Sequence, residues 1–164
     1  MPRRQVLARV LQLAACMGVR RVDLVNAWRV DKSHLASHAL APAAMRHNLV
    51  LGCEQGGSTR LPRIALHRLL MPFVRGPLGE RLARGATRPI IAHPRAAMAL
   101  EQAVPPGASE SVILAIGPER GFIEREVETF AALGFAPVAL GARVLRVETA
   151  LTAALAQLEL LRRL

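Results

Sequence analysis

Two glycine-bearing segments near the C-terminal end of the chain contain residue types suited to binding a ligand. They are residues 116–122 (IGPERGF) and residues 140–149 (LGARVLRVET), and a helix-like stretch separates them. Each segment follows a short apolar run of the kind that forms a buried strand. Glycine allows positive φ and lets a ligand approach the main chain closely. Because ligands of open α/β sheets bind just past the carboxyl ends of strands, we expect both segments at one sheet edge, around one ligand.

The charge of the first segment narrows the class of ligand. Phosphate-binding loops follow their glycine turn with a lysine or with free helix N–H groups. Here the turn carries Glu119, and the next helix opens with Glu124, Glu126 and Glu128. This acidity would repel a triphosphate and favours a cationic or zwitterionic ligand, such as the sulfonium compound S-adenosylmethionine (SAM). For the three helix glutamates, the alternative is a solvated first turn that complements the helix dipole.

Apolar residues recur with helical or strand-like spacing along the whole chain. Val6, Val10, Leu13 and Met17 form the stripe of a first helix, and Gly18 is its expected C-terminal cap. Strands are predicted over residues 22–27, 64–66, 89–93, 111–116 and 137–140, and further helices over 43–54, 80–84, 95–103, 123–131 and 149–164. This alternation predicts an α/β fold with a parallel sheet. A length of 164 residues suits one domain.

The composition is strongly basic, with 22 Lys and Arg against 12 Asp and Glu and a formal net charge of +10. Lys32 is the only lysine, so the positive charge is almost entirely arginine. Arginine contacts phosphate in a planar, bidentate manner, which favours a nucleic-acid partner, although a GC-rich genome also raises the arginine content. Tyrosine is absent and aromatic residues make up 3% of the chain, so base stacking is not expected to be the main binding device. No apolar run reaches the ~18 residues that span a bilayer, and we expect no membrane partner.

The cysteines and histidines predict neither a disulfide framework nor a metal site. Cys16 and Cys53 lie in apolar, helix-like stretches, where small buried residues are typical, and we expect a cytoplasmic protein. The N-terminal segment resembles a lipoprotein signal, but Arg9 interrupts its apolar run, and an amphipathic helix explains it better. His34 and His38 have helical spacing but lack a third ligand nearby, so no metal is predicted.

The two glycine-bearing segments together resemble the RsmE-type methyltransferases, which act on the N3 of a uridine in small-subunit (16S) ribosomal RNA. Two other stretches agree, namely Glu54-Gln55 followed by a polar loop and Arg60-Leu61-Pro62, and residues 17–19 (MGV) ahead of the first strand. The resemblance covers nearly the whole chain. It implies a single SPOUT-type domain over residues 1–164, with a parallel sheet, helices on both faces and a C-terminal trefoil knot. It also implies a homodimer, which we expect to form through the apolar faces of the first and last helices; burial of these faces within the monomer is the alternative.

The resemblance further implies that the two segments bind SAM. The expected SAM-binding residues are His93, Ile116, Gly117, Pro118, Glu119, Gly121, Leu140, Gly141, Leu145, Arg146 and Thr149. His93 is included because it ends the preceding strand at the same sheet edge, and a purely structural role is the alternative.

Catalysis requires loss of the proton on the uracil N3, so a base or a stabiliser of the uridine anion is needed. The candidates are Arg143 and Arg146, for the anion or for a phosphate, and Glu148, as the base or as a residue that orients an arginine. The residues expected to reach the RNA are Glu54, Gln55 and Arg60. For each of these side chains, an ion pair or a helix cap is the alternative role.

Two departures from the family pattern bear on function. Family members carry an N-terminal β-barrel RNA-binding domain, and the resemblance starts after it; without that domain RNA affinity is expected to suffer, although Arg3, Arg4, Arg20 and Arg21 remain. Arg120 stands where the family has glycine; if that position requires positive φ, arginine costs roughly 1–2 kcal/mol, and its side chain could obstruct the mouth of the cofactor site. The main alternative to an active enzyme is therefore an RNA-binding dimer of the same fold that has lost turnover.

Overall fold

The computed structural model describes residues 4–26, 38–85 and 87–164, with the side chains of residues 4 and 38 left out. The chain divides into two compact units, Met1–Phe73 (unit 1) and Val74–Leu164 (unit 2). A single domain over residues 1–164 stays a prediction. His34 lies outside the described residues. Within the described ranges, no group of three or more His, Cys, Asp or Glu side chains could hold a metal ion.

Unit 1 contains two longer helices and one pair of parallel strands. Its elements are α1 (Arg4–Cys16), β1 (Arg21–Val25), a 3-10 turn (His38–Leu40), α2 (Pro42–Gly56), β2 (Arg63–His67) and α3 (Leu70–Phe73). In the β1–β2 pair, Arg21 lies opposite Arg63 and Val25 lies opposite His67. The first helix, the helix over 43–54 and the strand over 64–66 are therefore confirmed, with ends shifted by a few residues. The predicted strand end at Ala27 lies outside the described residues.

The core of unit 1 forms where α1 and α2 cover one face of the strand pair. Leu7 and Leu11 of α1, Leu24 of β1 and Leu49 of α2 are buried in one cluster. The two helices cross closely at Gly52, where a Cβ would overlap the carbonyl oxygen of Gln12. Gly52 and Gly56 lie about one turn apart in α2, and together they allow the backbones of the two helices to approach closely.

Unit 2 contains a three-stranded sheet in which all strands are parallel. Its elements are a π-helical segment (Val74–Leu78), α4 (Gly79–Ala83), β3 (Thr87–Ala92), α5 (Leu100–Ala103), β4 (Ser111–Ile116), α6 (Glu124–Ala131), β5 (Ala136–Val138) and α7 (Val147–Arg163). The strand order is β4-β3-β5. The parallel α/β prediction is confirmed, but the strands of the described residues form a two-stranded and a three-stranded sheet instead of one sheet. A C-terminal knot and the placement of helices on both faces stay predictions.

The apolar stripe of α7 closes the core of unit 2. Ala154, Leu158 and Leu161 pack with Ile90 of β3 and Val138 of β5 in one buried cluster. This spacing of four and then three residues is that of one helix face. No helix among the described residues combines the length and apolar character needed to cross a bilayer.

Two predicted elements of unit 2 are wrong in their bounds. The helix predicted over 95–103 is confined to Leu100–Ala103. The residues before Leu100 are not helical, because their main chain pairs with Ala139. The Met98 carbonyl accepts the Ala139 N–H at 2.8 Å, and Ala99 pairs with Ala139 in a parallel bridge. For the same reason β5 ends at Val138, and the last two residues of the strand predicted over 137–140 form only that bridge and a bend.

Candidate active site

The carboxyl ends of three parallel strands meet at one edge of the unit 2 sheet. β4 leads into the loop 117–123 (loop A), β5 leads into the loop 139–146 (loop B), and His93 follows β3 between them. Since neighbouring strands are about 4.8 Å apart, the two loops start about 10 Å apart across the end of β3. The chain passes from β4 over β3 to β5, so this edge is a topological switch point, where α/β proteins bind ligands. The two glycine-bearing segments therefore share one edge, as predicted.

Loop A is a tight turn that requires glycine at two positions for different reasons. The Gly121 N–H donates to the Pro118 carbonyl at 2.7 Å, and Gly121 has a φ of +71°, in the left-handed region. Gly117 instead allows close backbone approach, because a Cβ there would lie 3.0 Å from the Phe122 nitrogen. The hydrogen bond between Gly121 and Pro118 places Glu119 and Arg120 at the centre of the turn, and both are exposed. Gly121, the last residue of the turn, is thus a position that requires positive φ.

The far end of loop A is anchored to α6. The Phe122 ring packs on Phe130 with centroids 5.3 Å apart, and Phe130 packs edge-on against Phe135. The Ile123 N–H donates to the Glu126 carboxylate at 3.0 Å, and only 1% of Glu126 is exposed. Glu126 therefore caps the helix and is neither ligand-facing nor solvated. The other two helix glutamates, Glu124 and Glu128, are exposed, as a solvated first turn requires.

Loop B is held at its start by backbone and amide hydrogen bonds. The His93 N–H donates to the Val138 carbonyl at 2.9 Å, and Gln157 of α7 donates to the Leu140 carbonyl at 3.1 Å. Gly141 follows with a φ of +142°, and no protein atom lies within 4 Å of where its Cβ would stand. The same is true at Gly121. The main chain is open to a ligand at one glycine of each loop.

The catalytic candidates gather at the end of loop B and the first turn of α7. Arg146 immediately precedes the helix in an extended conformation, and its carbonyl accepts the Ala150 N–H at 2.7 Å. Arg143 and Arg146 are exposed, and Glu148 is half-buried in the first turn. An anion at this end of α7 would gain from both guanidinium groups and from the helix dipole. Among the proposed SAM-binding residues here, Leu145 is half-buried and Thr149 is exposed.

The His93 ring is held by a main-chain hydrogen bond. Its Nδ1 accepts the backbone N–H of Arg95 at 3.3 Å. This contact orients the ring at the end of β3, between the starts of the two loops.

The three residues expected to reach RNA lie together in unit 1. Glu54 and Gln55 occupy the last turn of α2, which Gly57 ends with a φ of +64°. Arg60 follows in the loop to β2; its N–H donates to the Ser58 hydroxyl at 3.2 Å, and its carbonyl accepts the Cys53 thiol at 3.6 Å. The side chains of the three residues are exposed.

Sequence reasoning missed a charged network between the strands of unit 1. Asp23 of β1 accepts from Arg21 Nε at 3.0 Å and from His67 Nε2 of β2 at 2.8 Å. The side-chain hydrogen bond to Asp23 raises the pKa of Arg21 above its ordinary value. The Phe73 ring packs on His67 with centroids 4.4 Å apart. Residues two apart on a strand share a face, so the sequence could have indicated that Arg21 and Asp23 lie side by side. The contact with His67 depends on the pairing of β1 with β2, which the sequence does not show.

The fold and the two loops define an α/β protein whose candidate ligand site lies at the carboxyl edge of a parallel sheet. The sequence matches the family of the RNA methyltransferase domain over residues 1–159, and the chain belongs to that family. The resemblance to RsmE-type proteins is also confirmed. The chain is 32% identical over 156 residues to ribosomal RNA small subunit methyltransferase E of Treponema pallidum, covering 94% of this chain and 58% of the relative. It is 27% identical over 155 residues to methyltransferase E 1 of Borreliella burgdorferi, covering 91% and 60%.

Solved structures share the fold. A Legionella pneumophila protein whose structure contains bound SAM superposes with a TM-score of 0.77 at 29% identity, covering 98% of this chain and 63% of that one. Methyltransferase E of Neisseria gonorrhoeae, bound to SAM, superposes with a TM-score of 0.76 at 24% identity, covering 98% and 63%. A SpoU methyltransferase of Streptomyces viridochromogenes superposes with a TM-score of 0.66 at 13% identity, covering 99% and 56%. The chain spans about three fifths of the length of these relatives.

Proposed function

We propose that the chain is a SAM-dependent methyltransferase that acts on the N3 of a uridine in the 16S RNA of the small ribosomal subunit. The observation that carries this proposal is the pair of loops, A and B, at the switch point of a parallel sheet. It is supported by 29% identity to a protein whose structure contains SAM. We place the protein in the cytoplasm, where its RNA substrate is found.

The residues of the two loops fit SAM chemically. Loops A and B leave open space beside the main chain at Gly121 and Gly141, where an adenosyl group and an amino-acid tail can approach the backbone closely. Glu119 brings an exposed carboxylate to the turn, which suits a sulfonium cation. SAM, when bound, supplies an electrophilic methyl group. The residues proposed to hold it are those named above from the sequence: His93, Ile116, Gly117, Pro118, Glu119, Gly121, Leu140, Gly141, Leu145, Arg146 and Thr149.

The protein's own contribution to the reaction is to orient the uridine and to remove its N3 proton. Arg143 and Arg146 are proposed to stabilise the uridine anion, assisted by the N-terminal dipole of α7. Glu148 is proposed to accept the proton or to orient one of the arginines. Glu54, Gln55 and Arg60 are proposed to contact the RNA.

Titration calorimetry with SAM tests this function. We expect binding in the micromolar range, about −7 to −8 kcal/mol. Incubation with 16S RNA and SAM, followed by nucleoside digestion, should then yield N3-methyluridine. The absence of any heat or thermal shift at millimolar SAM would remove the enzyme proposal. SAM binding without a methylated product would favour the alternative, an RNA-binding dimer without turnover.

The homodimer is proposed to form through α1 and α7. The last helix leaves Leu160 57% exposed and Leu164 74% exposed, beyond the stripe that packs on the sheet. Sedimentation of the full chain and of Leu160→Ser tests this interface. A monomeric parent chain would contradict it.

The exposed Arg120 at the centre of loop A is proposed to weaken SAM binding. Its positive charge would repel a sulfonium, and its bulk would narrow the mouth of the site. We expect Arg120→Gly and Arg120→Ala to bind SAM more tightly by the same factor, up to about tenfold, as measured by calorimetry. Tighter binding by the glycine variant alone would indicate backbone strain at this position instead. Unchanged affinity in both variants would refute the obstruction.

A further inference from the structure

The positive charge of the chain is concentrated in unit 1. Residues 1–73 contain eleven Lys and Arg but only three Asp and Glu, whereas residues 74–164 contain eleven and nine. Unit 1 therefore contributes +8 of the net +10, although it carries neither of the loops A and B. Such an asymmetry is typical of a chain in which one part holds a polyanion.

Arginines line the edge of unit 1 at which both strands begin. The Arg63 N–H donates to the Arg20 carbonyl at 3.0 Å, and Arg63 lies directly opposite Arg21 in the strand register. Arg60 is three residues before Arg63, within about 10 Å along an extended chain. All four side chains are exposed. We call Arg20, Arg60 and Arg63 the arginine edge.

Arg63 projects from the face of the strand pair that does not carry the helical core. Val22, Leu24 and Ile64 belong to the cluster under α1 and α2, so they define the covered face. Side chains alternate along a strand, and paired residues of neighbouring strands share a face. Arg21, Asp23 and Arg63 therefore point to the opposite face.

The charges of Arg60 and Arg63 are only weakly compensated. Arg21 is neutralised by Asp23, which it contacts through Nε and Nη2, and it is left out of the edge for that reason. In the part of the chain that the structure describes, no ion pair or side-chain hydrogen bond engages the guanidinium of Arg60 or Arg63. Among the described residues of unit 1, the acidic side chains are Asp23 and Glu54. Asp23 already contacts Arg21 and His67, so Glu54 is the other described carboxylate of unit 1 that can offset these charges.

We propose that the arginine edge of unit 1 binds the phosphate backbone of the RNA, chiefly through Arg60 and Arg63. Guanidinium groups donate two parallel hydrogen bonds to phosphate oxygens, and such contacts position a nucleic acid without reading its sequence. The inference rests on the proposed function for the identity of the polyanion. It adds Arg63 and Arg20 to the contact surface and assigns docking to unit 1.

The test compares the full-length double variant Arg60→Ala/Arg63→Ala with Arg46→Ala. Arg46 is exposed on α2, in the same unit, ten residues and about 15 Å along the helix before its end. A fluorescent single-stranded RNA is titrated between about 50 and 200 mM salt. The double variant should bind about tenfold more weakly at the lower salt, and its log Kd–log salt slope should fall by about 1.4, since each lost phosphate contact removes about 0.7. Arg46→Ala should match the parent chain.

Two further measurements separate this inference from the proposed function. Arg60→Lys/Arg63→Lys keeps the charge but loses bidentate geometry, and should lie between the parent and the alanine variant. SAM calorimetry on the double variant should give the parent affinity. A salt slope of RNA binding that is the same in the double variant and the parent chain would overturn the inference. So would a parent chain that binds polyglutamate through these arginines but does not bind RNA. A parent chain that binds RNA through these arginines but not SAM would refute the proposed function alone.

Discussion

Gly121→Ala should weaken SAM binding by about 5- to 30-fold, which corresponds to about 1–2 kcal/mol. Gly121 closes the turn of loop A with a φ of +71°, where an L-residue is strained by that amount. The variant can relieve the strain by opening the turn that the Pro118 carbonyl and the Gly121 N–H hold together. Binding must then restore the turn, so the strain appears as lost affinity.

Gly107→Ala is the matched control for this effect. Gly107 has a φ of +72° in the turn between α5 and β4, and, as at Gly121, nothing lies within 4 Å of an added Cβ. Both variants should therefore lose similar thermal stability. Calorimetry with SAM should separate them, because only Gly121 belongs to loop A. Equal affinities for the two variants would show that the turn has no part in the cofactor site.

Local signals in the sequence predict much of this site. The strand predicted over 111–116 has the same bounds in the structure. Its signal is local, because a short run of apolar residues ends at Gly117. The two loops could be placed at one edge because parallel strands present their carboxyl ends together. Turn chemistry also marks Gly121, since glycine is favoured at the last position of a β-turn.

Pairings between distant residues could not be predicted in this way. The helix over 95–103 has the right periodicity, but its first half is bound to residues about 40 positions later, through the Met98 carbonyl and Ala139. Glutamate is usually a solvated residue type, yet Glu126 is buried and its carboxylate accepts the Ile123 N–H at the start of the helix. The Asp23–His67 contact and the arginine edge depend on the register of β1 with β2. Each of these features requires the tertiary structure, which overrides local propensity.

Gly52→Ala should produce the largest loss of stability among the variants considered, because it acts on the crossing of α1 and α2. The added Cβ would overlap the Gln12 carbonyl oxygen and lie 2.8 Å from the Ala15 Cβ. Overpacking of this kind costs about 1–3 kcal/mol. Alanine is favoured over glycine in a helix by about 1 kcal/mol, which acts in the opposite direction. Since the obstacle is main chain and Ala15 is fully buried, we expect the clash to dominate.

Gly76→Ala provides the comparison without a clash between helices. Gly76 lies in the π-helical segment Val74–Leu78, and no atom beyond its chain neighbours lies within 4 Å of its added Cβ. Pro77 disfavours helical backbone at the residue before it, which offsets the gain in helix propensity from alanine. Gly76→Ala should therefore change the free energy of unfolding in urea by less than about 1 kcal/mol, whereas Gly52→Ala, whose overlap lies at the upper end of the overpacking range, should lower it by about 2 kcal/mol. A Gly52→Ala variant as stable as Gly76→Ala would mean that α1 and α2 do not approach as closely as Gly52 and Gln12 indicate.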